Sequence, residues 1–482
     1  MTKSNTRDTA LFSSLSTAQA WVVERLALAF TEGGAELALV GGIVRDVLLE
    51  RPLPNDLDFT TSASPDQTRR FGEVAGAESS FDIGERFGTI GFVFRPDLDQ
   101  PPVLVEITTY RSEQYPDDSR HPAVQLGGVL LDDLSRRDFT VNAMAADVVS
   151  GTLFDPFDGQ SDLARCIIRA VGDPDLRFQE DPLRLLRAAR FVAQLGFLVD
   201  NATREGMTRQ ASSLRRISKE RIFTELTKLL CGPFASHGLE LLLDTGLLVE
   251  AMPELERLAS EALASRLPLH REKDLWEHTL RVVDQSPQRP MVRWAALLHD
   301  SAKPQTRSID LNGEVHFFGH EREGADLASK LLTRLKADKT TIATVSRMVE
   351  MHLRPANYER DWTDSAVRRL AMEADGVLDD LLDLVAADVT SAREHKQRAA
   401  AERVAALRSR VIWLEEEHAL AELKSPLDGQ DLMAMFDRPP GRWIAVIKDH
   451  LRELVIDGEL SPDDRSGAET EARRLIAQGD LA

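Results

Sequence analysis

The stretch ALVGGIVRDVLLERPLPNDLDFTT, residues 38–61, decides how the first third of the chain is read. Leu-Ala-Leu-Val (37–40) is a short apolar β-type run and Ile-Val-Arg-Asp-Val-Leu-Leu (43–49) is helical, so Gly41-Gly42 falls at a strand-to-helix turn. Without a Cβ at such a turn, backbone N–H groups can approach an anion. Arg45 follows about one turn into the helix, toward the same region. In Asp-Leu-Asp-Phe (56–59) the two-residue period of a strand puts Asp56 and Asp58 on one face and Leu57 and Phe59 on the other. Paired carboxylates repel unless a cation lies between them, and hard oxygen ligands suit Mg²⁺ with substrate phosphates completing its shell. A phosphate-cradling turn, an arginine and a carboxylate pair within 18 residues are the parts of a nucleotidyl-transfer site.

At 482 residues the chain is long enough for two to four domains, because single cores stop growing near roughly 250–300 residues. No apolar run reaches the roughly 20 residues of a membrane span, and the N-terminus has no apolar signal core, so a cytoplasmic protein with no membrane partner is expected. Cys166 and Cys231 are too few for a disulfide framework and form no CxxC pattern. With 59 basic and 79 acidic residues the formal charge is −20, which argues against sequence-independent adhesion to nucleic acid over the whole surface. Residues 181–221 run the other way: nine Lys/Arg (184, 187, 190, 204, 209, 215, 216, 219, 221) against four Asp/Glu make a local basic window, either an RNA footprint or a solvated helical face.

Short β-type patterns continue to about residue 165 and include GTIGFVF (88–94) and VLVEITTY (103–110). Alternation sets Glu106 opposite Val105 and Ile107. From about residue 166 helical periodicity takes over. Spacings of three residues place Asp181, Arg184 and Arg187 within about 120° of one helix face, with Leu185, Ala189 and Val192 turned away. A carboxylate that accepts and a guanidinium that donates in fixed geometry can read a base edge, although an i,i+3 salt bridge has the same spacing.

LVGGIVRD…NDLDFTT, RRDFTVNAMA (136–145), DPFDGQSDL (155–163), EDPLRLLRAARF (180–191) and RISKERIFTEL (216–226) stand in the order and spacing of the class II tRNA nucleotidyltransferase and bacterial poly(A) polymerase family, which this chain resembles over roughly residues 37–230. The resemblance implies an α+β nucleotidyltransferase head of the DNA polymerase β type followed by an all-α neck, and, since such heads usually have a third carboxylate on a neighbouring strand, it makes Glu106 the expected one. It implies metal ligands at Asp56 and Asp58, triphosphate contacts at Gly41, Gly42 and Arg45, and a nucleotide-binding arginine at Arg137 with Asp138 and Asn142 shaping the pocket. It further implies that Asp181 and Arg184 hydrogen-bond the Watson–Crick edge of CTP or ATP, with Arg187 and Arg190 as additional nucleotide-site residues. The segment RSEQYPDDSRHP (111–122) resembles the family's flexible loop.

WEHTLRVVD, RWAALLHDSAKP and LVAADVTSA give His278, His299-Asp300 and Asp388, an order that resembles the HD phosphohydrolase superfamily. His320 and His352 match the extra histidines of its two-metal members. Imidazole and carboxylate ligands from several helices can hold divalent ions that activate water against a phosphoester. Ser301-Ala302 stands where the superfamily has Ile or Val followed by Gly, a departure that predicts a looser turn and weak hydrolysis. The charged helix that follows, SAREHKQRAAAERVAALRSRVIWLEEEHALAEL, reads as a spacer with opposite charges four apart.

The expected organisation is an N-terminal helix (1–36), a nucleotidyltransferase head (37–165), a helical neck and RNA-binding region (166–267), an HD domain (268–395) and a helical tail (396–482). The expected activity is Mg²⁺-dependent, template-independent addition or repair of the 3′-terminal CCA of tRNA from CTP and ATP, with an HD site that holds its own divalent metal. A poly(A) polymerase or A-only adding enzyme shares every head motif. An HD phosphohydrolase whose head only binds nucleotide is the reading from another class.

Overall fold

The computed structural model describes residues 10–477 except 84–87, 98–100, 115–122, 266–274, 360, 375, 390–393 and 419–424. Most of the expected loop at 111–122 therefore lies outside the described residues. The chain divides into two compact units, Met1–Ser218 with Glu240–Ala251 and Lys219–Leu239 with Met252–Ala482, so the division falls inside the segment read as neck.

The first unit is built on a seven-stranded sheet. Its strands are β1 (Leu37–Val40), β2 (Asp56–Thr61), β3 (Ser79–Asp82), β4 (Thr89–Phe94), β5 (Val103–Thr109), β6 (Ala145–Asp147) and β7 (Leu153–Phe154), in the order β3-β4-β5-β2-β1-β6-β7. Only the β2–β5 pair is parallel; the other pairs are antiparallel. Leu57, Phe59, Ile90, Phe92, Val105 and Ile107 are all buried and share one face. Helices α1 (Thr17–Glu32) and α3 (Pro65–Ala75) pack together, with the Phe30 and Phe71 rings 5.0 Å apart. Both start with a serine capping box, Ser16 with Gln19 and Ser64 with Gln67, which satisfies N–H groups that the first helical turn leaves without partners. The other sheet face carries Asp56, Asp58 and Glu106, all exposed.

Between β1 and β2 runs the short helix α2 (Gly42–Leu48). Beyond the sheet come α4 (Pro174–Glu180) and α5 (Leu183–Leu195), and here the structure corrects one helical face into two elements. Asp181 has φ −139° and ψ 99°, between the helices rather than on one with Arg184. The cause is Pro182, whose ring excludes the preceding residue from the helical region.

The second unit is helical, with α6 (Leu275–Gln285), α7 (Pro290–Leu298), α8 (His320–Arg334), α9 (Lys339–Met351), α10 (Asp364–Glu373), α11 (Leu378–Ala387) and α12 (Glu394–His418). The last of these is not a solvated spacer. Ala400, Val404, Leu407, Val411 and Leu414 form a buried stripe at spacings of three and four, and Arg408 and Arg410 bind Asp383 and Asp364 on α11 and α10. Charge at i,i+4 masks that stripe in the sequence. The tail folds α13 (Gly429–Phe436), α14 (Arg442–Ile456) and α15 (Arg465–Ala477) around Leu432, Trp443, Ile447 and Leu451. Among the described residues no helix is long and apolar enough to cross a membrane.

Candidate functional site

β2 and β5 run parallel with Asp58 directly beside Glu106, so three carboxylates, Asp56, Asp58 and Glu106, share the open sheet face. Asp58 keeps contact with solvent, but desolvation by the protein packed around its carboxyl raises its pKa, and the Asp56 charge adds to that against the pull of Arg137. Glu106 is raised by burial and then by Asp58 and Asp56. This mutual repulsion and an all-oxygen donor set fit a hard divalent cation.

Gly41 takes φ 75°, a left-handed conformation that disfavours a side chain. A Cβ there would stand 3.2 Å from Nη1 of Arg137 and 4.0 Å from the Asp58 carboxylate, so the turn, the arginine and the aspartate meet at one corner. Arg137 is steadied by the buried Asp133, which accepts from its Nη2 at 3.3 Å. Burial works against the charge of Asp133, but Arg137 and Arg136 hold its pKa below the ordinary value.

Arg45 is buried in the wall, not aimed into the open. Asp46 accepts from its Nε and Nη2 at 2.9 Å each, and Asn142 Oδ1 accepts from its Nη1 at 2.8 Å. Asn142 in turn donates to Asp138 at 3.2 Å, and Asp138 accepts from Arg187 Nε at 2.7 Å. Burial opposes the charge of Asp138, and Arg187 outweighs it, so its pKa is lowered. The Phe191 ring backs this chain, with the guanidinium carbons of Arg45, Arg187 and Arg190 at 5.3, 5.6 and 4.5 Å from its centre. Such packing fixes the arginine planes.

Arg184 pairs with Glu180, not with Asp181. Glu180 accepts from its Nη1 at 2.7 Å, and the carbonyls of Arg177 and Arg136 accept at 3.0 and 2.6 Å. Asp181 caps the next helix by accepting from Leu183 N at 3.1 Å. Glu180, Asp133, Asp46 and Phe191 were therefore missed in the sequence. The first two were legible as carboxylates four residues from an arginine.

The basic window is also less bare than its sequence. Arg184, Arg187, Arg204, Arg209 and Arg215 pair with Glu180, Asp138, Asp244, Asp175 and Glu250, all outside residues 181–221. A window count cannot see partners brought in by folding.

In the second unit His278, Asp300 and Asp388 surround His299, which is fully buried. His299 Nε2 lies 3.3 Å from His278 Nε2, 3.3 Å from Asp300 Oδ2 and 3.4 Å from Asp388 Oδ1. Asp300 Oδ1 faces the other way, 3.4 Å from His320 Nε2 and 3.8 Å from His352 Nε2. Asp300 thus bridges two ligand groups, His278/His299/Asp388 and Asp300/His320/His352, each compact enough for one ion. Nδ1 of His299, His320 and His352 is directed at the carbonyls of Ala296, Phe317 and Val349 at 2.9, 2.7 and 2.6 Å. That arrangement turns each Nε2 inward, the side on which metal ligation would require its lone pair. Asp300 Oδ1, His320 Nε2 and His352 Nε2 are buried without a hydrogen-bond partner, a cost that a bound cation removes. Burial lowers His352 to a pKa of about 4, and the charge of His299 adds to that.

The Ser301-Ala302 turn closes in spite of its sequence. Ser301 Oγ and N donate to Leu298 O at 2.7 and 3.1 Å, and Ala302 has φ −92°, which needs no glycine. Lys303 Nζ donates to Asp300 Oδ2 at 2.5 Å.

Comparison with known proteins puts the head match in the first unit and the HD match in the second, with a third match spanning the boundary between them. A poly A polymerase head domain matches residues 37–169, a probable RNA and SrmB-binding site of polymerase A matches 196–258, and an HD domain matches 275–393. The CCA-adding enzyme of Geobacillus sp. (strain WCH70) is 32% identical over 428 residues, 89% of this chain and 90% of that one. That of Geobacillus thermodenitrificans is 39% identical over 264 residues, 54% of this chain and 62% of that one. Among solved structures, the Bacillus stearothermophilus CCA-adding enzyme in complex with CTP matches with a TM-score of 0.67 at 25% identity, covering 96% of this chain and all of that one. A tRNA nucleotidyltransferase complexed with a primer tRNA and an incoming ATP analog shares the fold, with a TM-score of 0.52 at 21% identity over 80% of this chain and 98% of that one. With a relative matched along nine-tenths of its length and a head, an RNA-binding region and an HD domain in sequence, this chain belongs to the CCA-adding enzyme family.

Proposed function

We propose that this chain adds or repairs the 3′-terminal CCA of tRNA from CTP and ATP, releasing pyrophosphate at a site on the open sheet face. The observation that carries the reading is the row of Asp58 and Glu106 beside the Gly41 corner with Arg137, in a chain of this family. Divalent cations, Mg²⁺ by the oxygen donor set, would be held by Asp56 and Asp58 and would supply polarisation of the triphosphate and of the attacking hydroxyl. Glu106 completes the anionic pole. Arg137 stands where negative charge gathers on the departing pyrophosphate, and Gly41-Gly42 gives the phosphates a close backbone approach. Arg45 acts from the wall by holding Asn142, which holds Asp138 and with it Arg187. Asp181 and Arg184 read the base edge, Arg184 being set by Glu180.

Incubating tRNA that lacks its 3′ end with CTP, ATP or both, and sequencing the products, tests this directly. Products ending in CCA are expected; A-only or long poly(A) products would move the chain to a different substrate class. The base-reading pair has its own test. Arg184→Ala is expected to lower efficiency with CTP and ATP by about 1–3 kcal/mol per lost bidentate contact and to relax discrimination among the four triphosphates. Unchanged selectivity would leave Arg184 as a strut between Glu180 and the Arg136 carbonyl.

The second unit supports a separate phosphohydrolase activity. Its bridging Asp300 and the buried atoms without partners suit two divalent ions, which would supply a metal-activated water. The chain's residues hold the ligands at fixed tautomers, and Lys303 offers a cation at the edge of the cluster. A cytoplasmic setting suits both reactions.

A further inference from the structure

Continuing the row of carboxylates along the open sheet face, Asp58 pairs with Glu106, Glu106 with Gly91 and Gly91 with Phe81. Strand alternation keeps all four on one face, opposite the face where Phe92 presses on Gly72 of α3. A Cβ at Gly91 would stand 2.6 Å from two carbons of the Phe81 ring and 2.8 Å from Ile83 Cδ1. Glycine at 91 therefore leaves room for the Phe81 ring over the neighbouring strand, on the side of Glu106. Phe81, Ile83 and Leu104 are 42, 38 and 40% exposed, so an apolar strip opens to solvent beside three acids. With strands about 4.8 Å apart, the backbone of Phe81 is about 10 Å from that of Glu106 and about 14 Å from that of Asp58, and its ring covers part of that span.

The reaction proposed above must hold two bases, and the sheet order separates their places. β1 carries the Gly41 turn on one side of β2, while β5, β4 and β3 lead to Phe81 on the other. Arg137 and the chain from Arg45 to Arg187 gather around that turn, so the incoming nucleotide belongs to the β1 side. The attacking 3′-oxygen must reach the acids, and its ribose carries the terminal base only a few ångströms away. We infer that Phe81, laid over Gly91 and flanked by Ile83 and Leu104, is the platform on which the 3′-terminal base of the RNA substrate stacks, placing its 3′-hydroxyl at Asp56 and Asp58. This positioning role rests on the proposed nucleotide addition. Stacking also suits the chemistry, because successive additions present different terminal bases and every base offers a π-face, whereas hydrogen-bonding groups would favour one.

The test uses the full chain and a tRNA transcript that lacks CCA and ends in 2-aminopurine. In the wild type and in Phe81→Trp, binding should quench the 2-aminopurine fluorescence. Phe81→Ala should lose the quench and raise KM for RNA by about 5- to 100-fold, with KM for CTP and kcat at saturating RNA nearly unchanged. Leu104→Ser, altering an exposed side chain of the same strip, should weaken the quench and raise KM for RNA in the same direction, and decides the matter if Phe81→Ala fails to fold. An undiminished quench and unchanged RNA KM in a folded variant would overturn the inference. So would a rise confined to KM for CTP, which would give the strip to the incoming nucleotide. A wild type that adds no nucleotide to any RNA would instead refute the function beneath it.

Discussion

Asp58→Ala should lower nucleotide addition at least about a thousandfold while tRNA affinity stays within a few fold. In the proposed reaction Asp56 and Asp58 would hold the cation that meets the triphosphate, and metal-borne charge stabilisation is worth several kcal/mol, at about 1.4 kcal/mol per factor of ten. RNA affinity is expected to rest on surfaces outside this pair. Single-turnover CTP incorporation and filter binding separate the two quantities; a loss of RNA affinity equal to the loss of turnover would defeat the division. The same site lowers stability. Because the folded pKa of Asp58 is raised, its contribution is present below the unfolded value and is lost as pH rises through the folded one. Asp58→Asn should accordingly raise the melting temperature near neutral pH even as activity is lost, which calorimetry in the absence of divalent metal would detect.

His299→Ala combined with Asp300→Ala should bring divalent-metal-dependent hydrolysis of small phosphoesters such as 2′,3′-cyclic AMP down to background and leave CCA addition nearly intact. All six ligand residues lie in the second unit and all three carboxylates of the head in the first. A folding control is His278→Ala, whose side chain is 24% exposed and should cost little packing. At a hundred times the Kd of the HD site, added divalent metal should stabilise the second unit of the wild type by about 2.7 kcal/mol, an increment that the double variant should lose while any stabilisation through Asp56 and Asp58 remains. A large loss of CCA addition in a folded double variant would mean that the HD domain places tRNA for the head.

Much of the site was open to direct reading because its signals are local. The turn at Gly41-Gly42, the alternation of Asp56-Leu57-Asp58-Phe59 and the position of Glu106 within VLVEITTY need only a few residues of context. What escaped is set by partners far along the chain. Asp58 and Glu106 are neighbours through a parallel pairing across 48 positions, and no turn type fixes that register. Phe191 gains its meaning from Arg45, nearly 150 residues away. The helix break at Asp181 is different: Pro182 announced it, and the three-residue spacing of Asp181, Arg184 and Arg187 outweighed that signal wrongly. The buried stripe of α12 was hidden in a similar way by the charges around it.

The paired arginines of residues 204–215 change what that stretch can offer to a phosphate. Arg204, Arg209 and Arg215 reach the surface already neutralised by Asp244, Asp175 and Glu250, through exposed ion pairs of the kind that contribute little to stability. Were RNA phosphates to dock at these arginines, each would have to compete with a carboxylate already in place, and each departing phosphate would be replaced by one. Binding there would be an exchange of anions rather than an adsorption onto bare cations, and a tRNA leaving such a surface would strand no charge behind it.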